Sequence, residues 1–248
     1  MMSQERARYV LKKFWTRVVP NIRHLPGSRV RVCQACLRAS LILAIGEDEE
    51  FKLCVRCRAN LRYEMLARYV RQSGRKLEAS DVLELDPGSP LQTLLGQSRR
   101  YIRSYFRPDV VPGIARPDGV VCQDITHLTY PDQSLDLIVS SDVLEHVPDV
   151  SAALRESARV LRPGGEHIFT VPPREATRQR ALLRDGQVVH LVQPPEYHRD
   201  PLDPQGVLAF WDYGPDLGQR FQVPGLVIQP VLGPEGRSRR VVWSARKS

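Results

Sequence analysis

The sequence predicts an α/β protein, a doubly wound and mostly parallel sheet preceded by a small cysteine-rich module. Three observations carry this. The run Leu135–Gly165 reads in succession as a buried strand, a polar loop, an amphipathic helix and a glycine stop. Seven short apolar or β-branched runs alternate with helical stretches: Asp81–Leu85, Tyr101–Ser104, Gly119–Cys122, Leu135–Val139, Glu166–Val171, Val207–Trp211 and Arg240–Ser244. Two Cys-x2-Cys pairs lie upstream of all of them.

The length of 248 residues suits one α/β domain with a small appendage. No apolar run approaches the roughly 18 residues of a membrane span. With 36 Lys and Arg against 28 Asp and Glu the net charge is +8, but the basic residues are scattered rather than packed into runs. That balance is only a weak pointer to nucleic acid or another polyanion. Five cysteines without a secretory signal favour a reducing compartment, the cytoplasm, and metal binding over disulfides.

In chain order, Gln4–Val19 predicts a basic amphipathic helix ended by Pro20, its apolar stripe formed by Val10, Phe14 and Val18. Such a helix docks on its own protein or a partner protein, or lies on an anionic membrane surface. Residues 29–62 form the cysteine module. Cys33 and Cys36 are separated by seventeen residues from Cys54 and Cys57, the spacing of a zinc ribbon in which two knuckles complete a four-thiolate tetrahedron. Four thiolates leave no open position, so Zn2+ here is structural; unligated thiols or a redox dithiol are the alternatives. The acidic run Glu47–Glu50 reads as a solvated turn between the knuckles. A linking helix, Leu61–Val70 within residues 63–79 and their approach, leads to the main domain at 80–248. Cys122 reads as a small core residue.

Within that domain, Ser140, Ser141, Asp142, Glu145 and His146 crowd the carboxyl end of the Leu135–Val139 strand, where open α/β sheets place their ligand crevice. Asp149 can cap the next helix, Leu154, Ala158 and Leu161 share one face, and Pro163-Gly164-Gly165 is expected to stop it. Asp136, Leu144-Glu145-His146, Glu156, Arg159-Val160-Leu161 and Pro163-Gly164-Gly165 together resemble the fourth strand and following helix of the class I S-adenosylmethionine-dependent methyltransferases. Leu128–Asp132 (LTYPD) resembles that family's approach to the strand. The resemblance covers about residues 80–245 and implies the Rossmann-like methyltransferase fold with seven strands.

It also implies a cofactor site. Asp86-Pro87-Gly88-Ser89-Pro90 stands where the family has a glycine-rich turn, whose task is close backbone approach to the amino-acid half of the cofactor at a helix start. Only Gly88 remains as glycine, and Asp86 replaces the usual first one. Glu84 ends the preceding strand beside it. The second strand lacks the acidic residue that receives ribose hydroxyls, leaving Tyr105 to hydrogen-bond or stack, with Asp109 further along the chain. Asp124 and Ile125 match the adenine-side positions, Asp124 being alternatively a loop cap. Ser141 and Asp142 complete the set.

For the chemistry, an oxygen acceptor needs a proton removed. His146 is the first candidate base, with Glu145 as its neighbour; bracing the loop is the alternative role for both. The segment 172–206 is long enough to form a lid or substrate wall. It holds an expected hairpin turn at Arg184–Gln187 and the run Pro195–Pro201, whose His198 and Asp200 form a second candidate acid–base pair or else pin a loop. That run and Phe210–Gly214 resemble a methyltransferase subgroup tied to bacterial glycan and small-molecule biosynthesis. The implied function is O-methylation of a glycan, sugar or related metabolite. A nucleic-acid or protein methyltransferase gripping substrate through the zinc module, and a non-catalytic scaffold, are the other readings.

Overall fold

The structure is a computed structural model that describes residues 14–198, 206–234 and 238–248. Most of the expected N-terminal helix lies outside these residues. The part described is one π-type turn, Phe14–Val18, then a 3-10 stretch, Val19–Gly27, so Pro20 does not end the helical path but sits in the first turn of the next piece.

Strands β1 (Arg29–Val32), β2 (Ala39–Ala44) and β3 (Lys52–Cys54) form an antiparallel sheet and lead into helix α1 (Leu61–Gln72). Then follow β4 (Asp81–Glu84), α2 (Gln92–Leu95), β5 (Arg100–Tyr105), β6 (Val121–Cys122), β7 (Leu135–Ser141), α3 (Val150–Val160) and β8 (Leu161–Thr170). The insertion carries three short pairs: β9 (Arg178–Gln179) with β14 (Trp211–Asp212), β10 (Ala181–Arg184) with β11 (Gln187–His190), and β12 (Tyr197–His198) with β13 (Val207–Leu208). Helix α4 (Leu217–Arg220), β15 (Leu226–Leu232) and β16 (Val242–Lys247) close the chain.

Seven strands form the main sheet in the order β15-β16-β8-β7-β4-β5-β6. All pairings from β8 to β6 are parallel, and only β16 runs against the rest. This is the doubly wound architecture expected. Successive side chains of a strand face opposite sides of a sheet, so each buried strand feeds two cores. Val82, Leu137, Val139, Ile168 and Val242 face one side, under α1, α2 and the cysteine module. Leu83, Ile138, Phe169, Trp243 and Ala245 face the other, toward α3 and α4. Cys33, Ile42, Cys54 and Ala59 share the first core with sheet residues, so the module is fused to the sheet rather than tethered to it.

Three expectations are corrected. Val207–Trp211 is not a main-sheet strand: its ends pair locally within the insertion, and the sheet position is taken by β15. The α3 helix stops at Val160, with Leu161 already extended, so Pro163-Gly164-Gly165 lies in the lead-in of β8, where Gly164 takes φ 76°. The acidic run is not merely solvated, because Glu50 pairs with the buried Arg240 at 2.6 Å. The Asp185-Gly186 turn is as expected, both residues having positive φ, as a two-residue hairpin requires.

Candidate active site

The four cysteines converge. Each pair forms the same knuckle: Leu37 N–H donates to the Cys33 carbonyl and Arg58 N–H to that of Cys54, both at 2.8 Å, with Leu37 and Arg58 at positive φ. The sulfurs all lie within 4.8 Å of one another, and Cys33 Sγ is 3.6 Å from Cys57 Sγ. A Zn2+ with bonds of about 2.3 Å needs tetrahedral sulfur edges of roughly 3.8 Å, so the donor set fits that ion. The Cys33 thiol is drawn down by the Cys57 thiol and by the backbone N–H groups of Cys36 and Ala35, a setting that favours thiolate.

From the module, α1 carries side chains to the sheet. Facing the module, Glu64 takes a bidentate ion pair from Arg31 at 2.7 and 3.1 Å, and Arg71 donates to the carbonyls of Gln34 and Ala35. Facing the sheet, Tyr63 donates to Asp86 just after β4, and Arg62 pairs at 2.8 Å with Asp142 at the end of β7. Strand order reverses between β5 and β7 around β4, so these side chains stand at the topological switch point, where such sheets bind ligands.

At that point Glu84 is buried, bonded by Tyr101, and pushed up to about 8 by burial, against the pull of Ser89 and Tyr101. Asp86 Oδ1 accepts from Gly88 N–H at 2.9 Å, closing the turn. A Cβ at Gly88 would meet only Asp86 Oδ1 at 3.6 Å, so the protein itself does not demand glycine there. Asp142 has φ 54°, rare outside glycine and asparagine, and accepts from Arg240 at 2.5 Å and Thr170 at 3.2 Å besides Arg62. Burial pushes its carboxyl up, but the two guanidinium groups outweigh this and hold it low. Ser141 bonds Thr170.

The other cofactor-side candidates are engaged locally. Tyr105 packs with Val120 and Cys122 under the Arg116 guanidinium, 5.3 Å from its ring centre, and Asp109 pairs with the exposed Arg107. Asp124 Oδ1 accepts from Thr126 N–H and Oγ1 at 2.8 and 2.7 Å, and Ile125 is buried against Leu144 and Val147. S-adenosylmethionine would find two fitting features: the open cradle at Gly88, and the buried Arg62 Nε, which has no hydrogen-bond partner among the described residues and suits a carboxylate.

Beyond Asp142, Glu145 and His146 lie on a 3-10 turn, Leu144–His146, and meet His198 from β12. His146 Nε2 is 3.7 Å and His198 Nδ1 3.6 Å from Glu145 Oε1, and the two rings meet edge to face at 4.8 Å. His146 Nδ1 lies 2.9 Å from the Leu208 carbonyl, an acceptor only, so Nδ1 carries the proton and Nε2 is left with its lone pair. His198 Nε2 lies 3.1 Å from Glu196, which Arg174 also holds. Glu145 is 1% exposed with neither carboxylate oxygen hydrogen-bonded among the described residues, and burial pushes its pKa up. The Glu145 carboxylate 3.6 Å from Nδ1 and the hydrogen bond to Glu196 draw His198 up. The structure thus joins three of the four candidate catalytic residues; Asp200 lies outside the described residues. Beside the group is a hollow of about 300 Å³ lined by Arg174, Arg178, Arg180, Glu196 and Asp212.

The remaining motif residues are scaffold. Arg159 ties Glu156, Asp132 and the carbonyls of Leu128 and Tyr130, while Asp136 bonds Asp81 N–H and Arg162 at the opposite end of the sheet. Sequence reasoning missed Arg62, Tyr63, Glu196 and Arg240. No local signal marks them, since Arg62 and Arg240 are separated from Asp142 by 80 and 98 residues.

Comparison with known proteins gives partial matches to methyltransferases. Residues 99–169 match a family model described as a methyltransferase domain, under a third of the chain. A sarcosine/dimethylglycine N-methyltransferase of Halorhodospira halochloris is 54% identical over 101 residues, covering 37% of this chain and 35% of that protein. A malonyl-[acyl-carrier protein] O-methyltransferase of Halorhodospira halophila is 30% identical over 155 residues, 58% of this chain and 50% of that one. Among solved structures, the 1,6-didemethyltoxoflavin-N1-methyltransferase of Burkholderia thailandensis superposes with a TM-score of 0.47 at 16% identity, over 73% of this chain and 76% of that one. The chain thus spans between about a third and a half of the lengths of these two curated relatives. One methylates nitrogen and the other oxygen by name, so they do not choose an acceptor atom.

Proposed function

We propose that the protein is an S-adenosylmethionine-dependent methyltransferase acting on a hydroxyl of a sugar, glycan or related small metabolite. The observation that carries this is the placement of Glu145, His146 and His198 three residues and more beyond Asp142, at the carboxyl end of β7 beside the switch point. The match of residues 99–169 to a methyltransferase domain supports the reaction class. Bound S-adenosylmethionine supplies an electrophilic methyl group. The chain's own part is to hold the cofactor by the Gly88 turn, Arg62 and the β7 end, and to orient an acceptor against it. His146, with Nε2 free and the Glu145 carboxylate nearby, is the atom ready to take the hydroxyl proton. His198, held between two carboxylates, is suited to donate rather than to accept. The hollow lined by three arginines offers donors to the oxygens of a polar acceptor.

The four-cysteine cluster is proposed as a structural Zn2+ site, and four reduced thiols at one point suit the cytoplasm. No helix among the described residues is long and apolar enough to cross a membrane. Nucleic-acid methylation gains no comparable support, since Arg174, Arg178 and Arg180 of the insertion are paired with Asp212 and Glu196 rather than ranged along an open surface.

Calorimetric titration of S-adenosylmethionine and S-adenosylhomocysteine into the protein and into Gly88→Leu tests the reading. Micromolar binding weakened at least tenfold in the variant is expected. Absence of binding to the parent protein would overturn it in favour of the scaffold reading.

A further inference from the structure

We propose that Glu145, His146 and His198 form a second metal site, distinct from the four cysteines, that binds a divalent transition ion such as Zn2+ through one carboxylate and two imidazoles. The donor atoms lie within 4.8 Å of one another, with Glu145 Oε1 3.7 and 3.6 Å from the two imidazole nitrogens. Around an ion with bonds of about 2.1 Å, neighbouring donors stand roughly 3.0–3.5 Å apart, so the two carboxylate-to-imidazole distances need only a few tenths of an ångström of contraction, and the two imidazole nitrogens must stand no further apart than that. The fully buried Glu145 is the independent observation. Among the described residues neither of its oxygens has a hydrogen bond, a costly state for a carboxylate that an ion would relieve.

The surroundings are those of a metal site. An imidazole ligand ordinarily donates its other N–H to a carbonyl or carboxylate, which fixes the ring and the tautomer. His146 has the Leu208 carbonyl at 2.9 Å from Nδ1, leaving Nε2 for the ion; His198 has Glu196 at 3.1 Å from Nε2, leaving Nδ1. Glu196 is in turn held by Arg174. Two imidazoles and one carboxylate leave positions open, unlike four thiolates, and an oxygen of the acceptor can occupy one. This role rests on the acceptor site proposed above and makes His146 Nε2 a ligand in the loaded protein, so His146 serves as proton acceptor only while the ion is absent; binding of the ion itself does not depend on methyl transfer.

The test strips the full chain with chelator, reloads it with Co2+ and follows metal content and the visible spectrum. Expected are two ions per chain, one with thiolate-to-metal charge-transfer bands and one without them. Glu145→Gln, His146→Asn and His198→Asn should each lose the second ion while keeping the thiolate bands, which report that the chain is still folded. Glu196→Gln should weaken the second ion by about 10–100-fold. Binding of the thiolate-bound ion alone in the parent protein, or a second ion that survives all three ligand substitutions, would overturn the proposal. Calorimetry with S-adenosylmethionine on the same samples separates this failure from failure of the methyltransferase reading.

Discussion

Asp142 shows how one residue is made to hold a crevice together. Its backbone is left-handed at φ 54°, and its carboxylate neutralises Arg62 from α1 and Arg240 from the segment before β16. Arg240 is nearly buried and has Glu50 as its other partner. Asp142→Asn keeps both shape and tolerance of positive φ, so it removes the charge and one of the two acceptor oxygens without disturbing the backbone. Breaking a buried pair by removing one partner costs about 3 kcal/mol or more, which for a chain of this size lowers the melting temperature by roughly 6–12 °C. A thermal melt decides it, and an unchanged midpoint would mean that the two guanidinium groups find solvent instead. The sequence exposed Asp142, Glu145 and His146 because they sit in one local run after a strand. It could not expose what they touch, since Arg62, Glu196, His198 and Arg240 reach them only through the tertiary fold. Asp124 and Tyr105 were read as cofactor-side by resemblance, and the contacts the fold gives them are local: one carboxylate oxygen closes a turn and the tyrosine ring lies under an arginine.

Among the elements, β4, β7 and α3 were legible because a buried parallel strand centres on an apolar run and α3 repeats its apolar positions at helical spacing. Strand β15 was not, because it is an edge strand with alternating exposure and contains Pro230, which reads as a break. Val207–Trp211 misled in the opposite way, being apolar but used to cover the second core from the insertion. Strand β8 carries a less visible feature in His167, which is fully buried with Ser140 at 2.9 Å from Nε2 and Ser157 at 3.2 Å from Nδ1, linking β7, β8 and α3. Burial pushes its pKa down to about 3. The unfolded chain therefore takes up a proton near pH 6.5 that the folded chain refuses, so the stability His167 contributes is complete above that pH and drains away as pH falls toward 3. Glu84, pushed up to about 8, works with the opposite sign between about pH 4.5 and 8 and masks the slope in the parent protein. His167→Gln isolates it: the stability difference between the two proteins should shift by about 1.4 kcal/mol per pH unit between roughly pH 6 and 4, in favour of the variant toward acid. Denaturant titrations at a series of pH values give that difference, and parallel profiles would show that His167 titrates normally.

At the scale of the whole molecule, the cysteine module, α1 and the sheet are one mechanical unit. Cys33, Cys54 and Ala59 share a core with Val82, Leu137 and Ile168, Glu64 and Arg71 clamp the first knuckle, and Arg62 and Tyr63 at the start of the same helix reach Asp142 and Asp86. Glu50, on the turn before β3, holds Arg240 against the β7 end. Apparent zinc binding energies of about 10–16 kcal/mol in small modules rival the entire stability of a typical domain, so losing the ion from the proposed thiolate site is enough to release the module. Because the core is continuous, release should be felt across the molecule. Calorimetric scans of the metal-loaded protein are expected to show a single transition, and chelator should lower and broaden it rather than remove one of two separate peaks. S-adenosylmethionine affinity should fall at least tenfold with it, since Arg62, Tyr63 and Arg240 lose the supports that aim them at the crevice. Cys54→Ser, which breaks the thiolate set from within the shared core, should behave like chelation. Two independent transitions, or cofactor affinity untouched by stripping the metal, would mean that the module is a separate attachment and that its ion has no part in shaping the crevice.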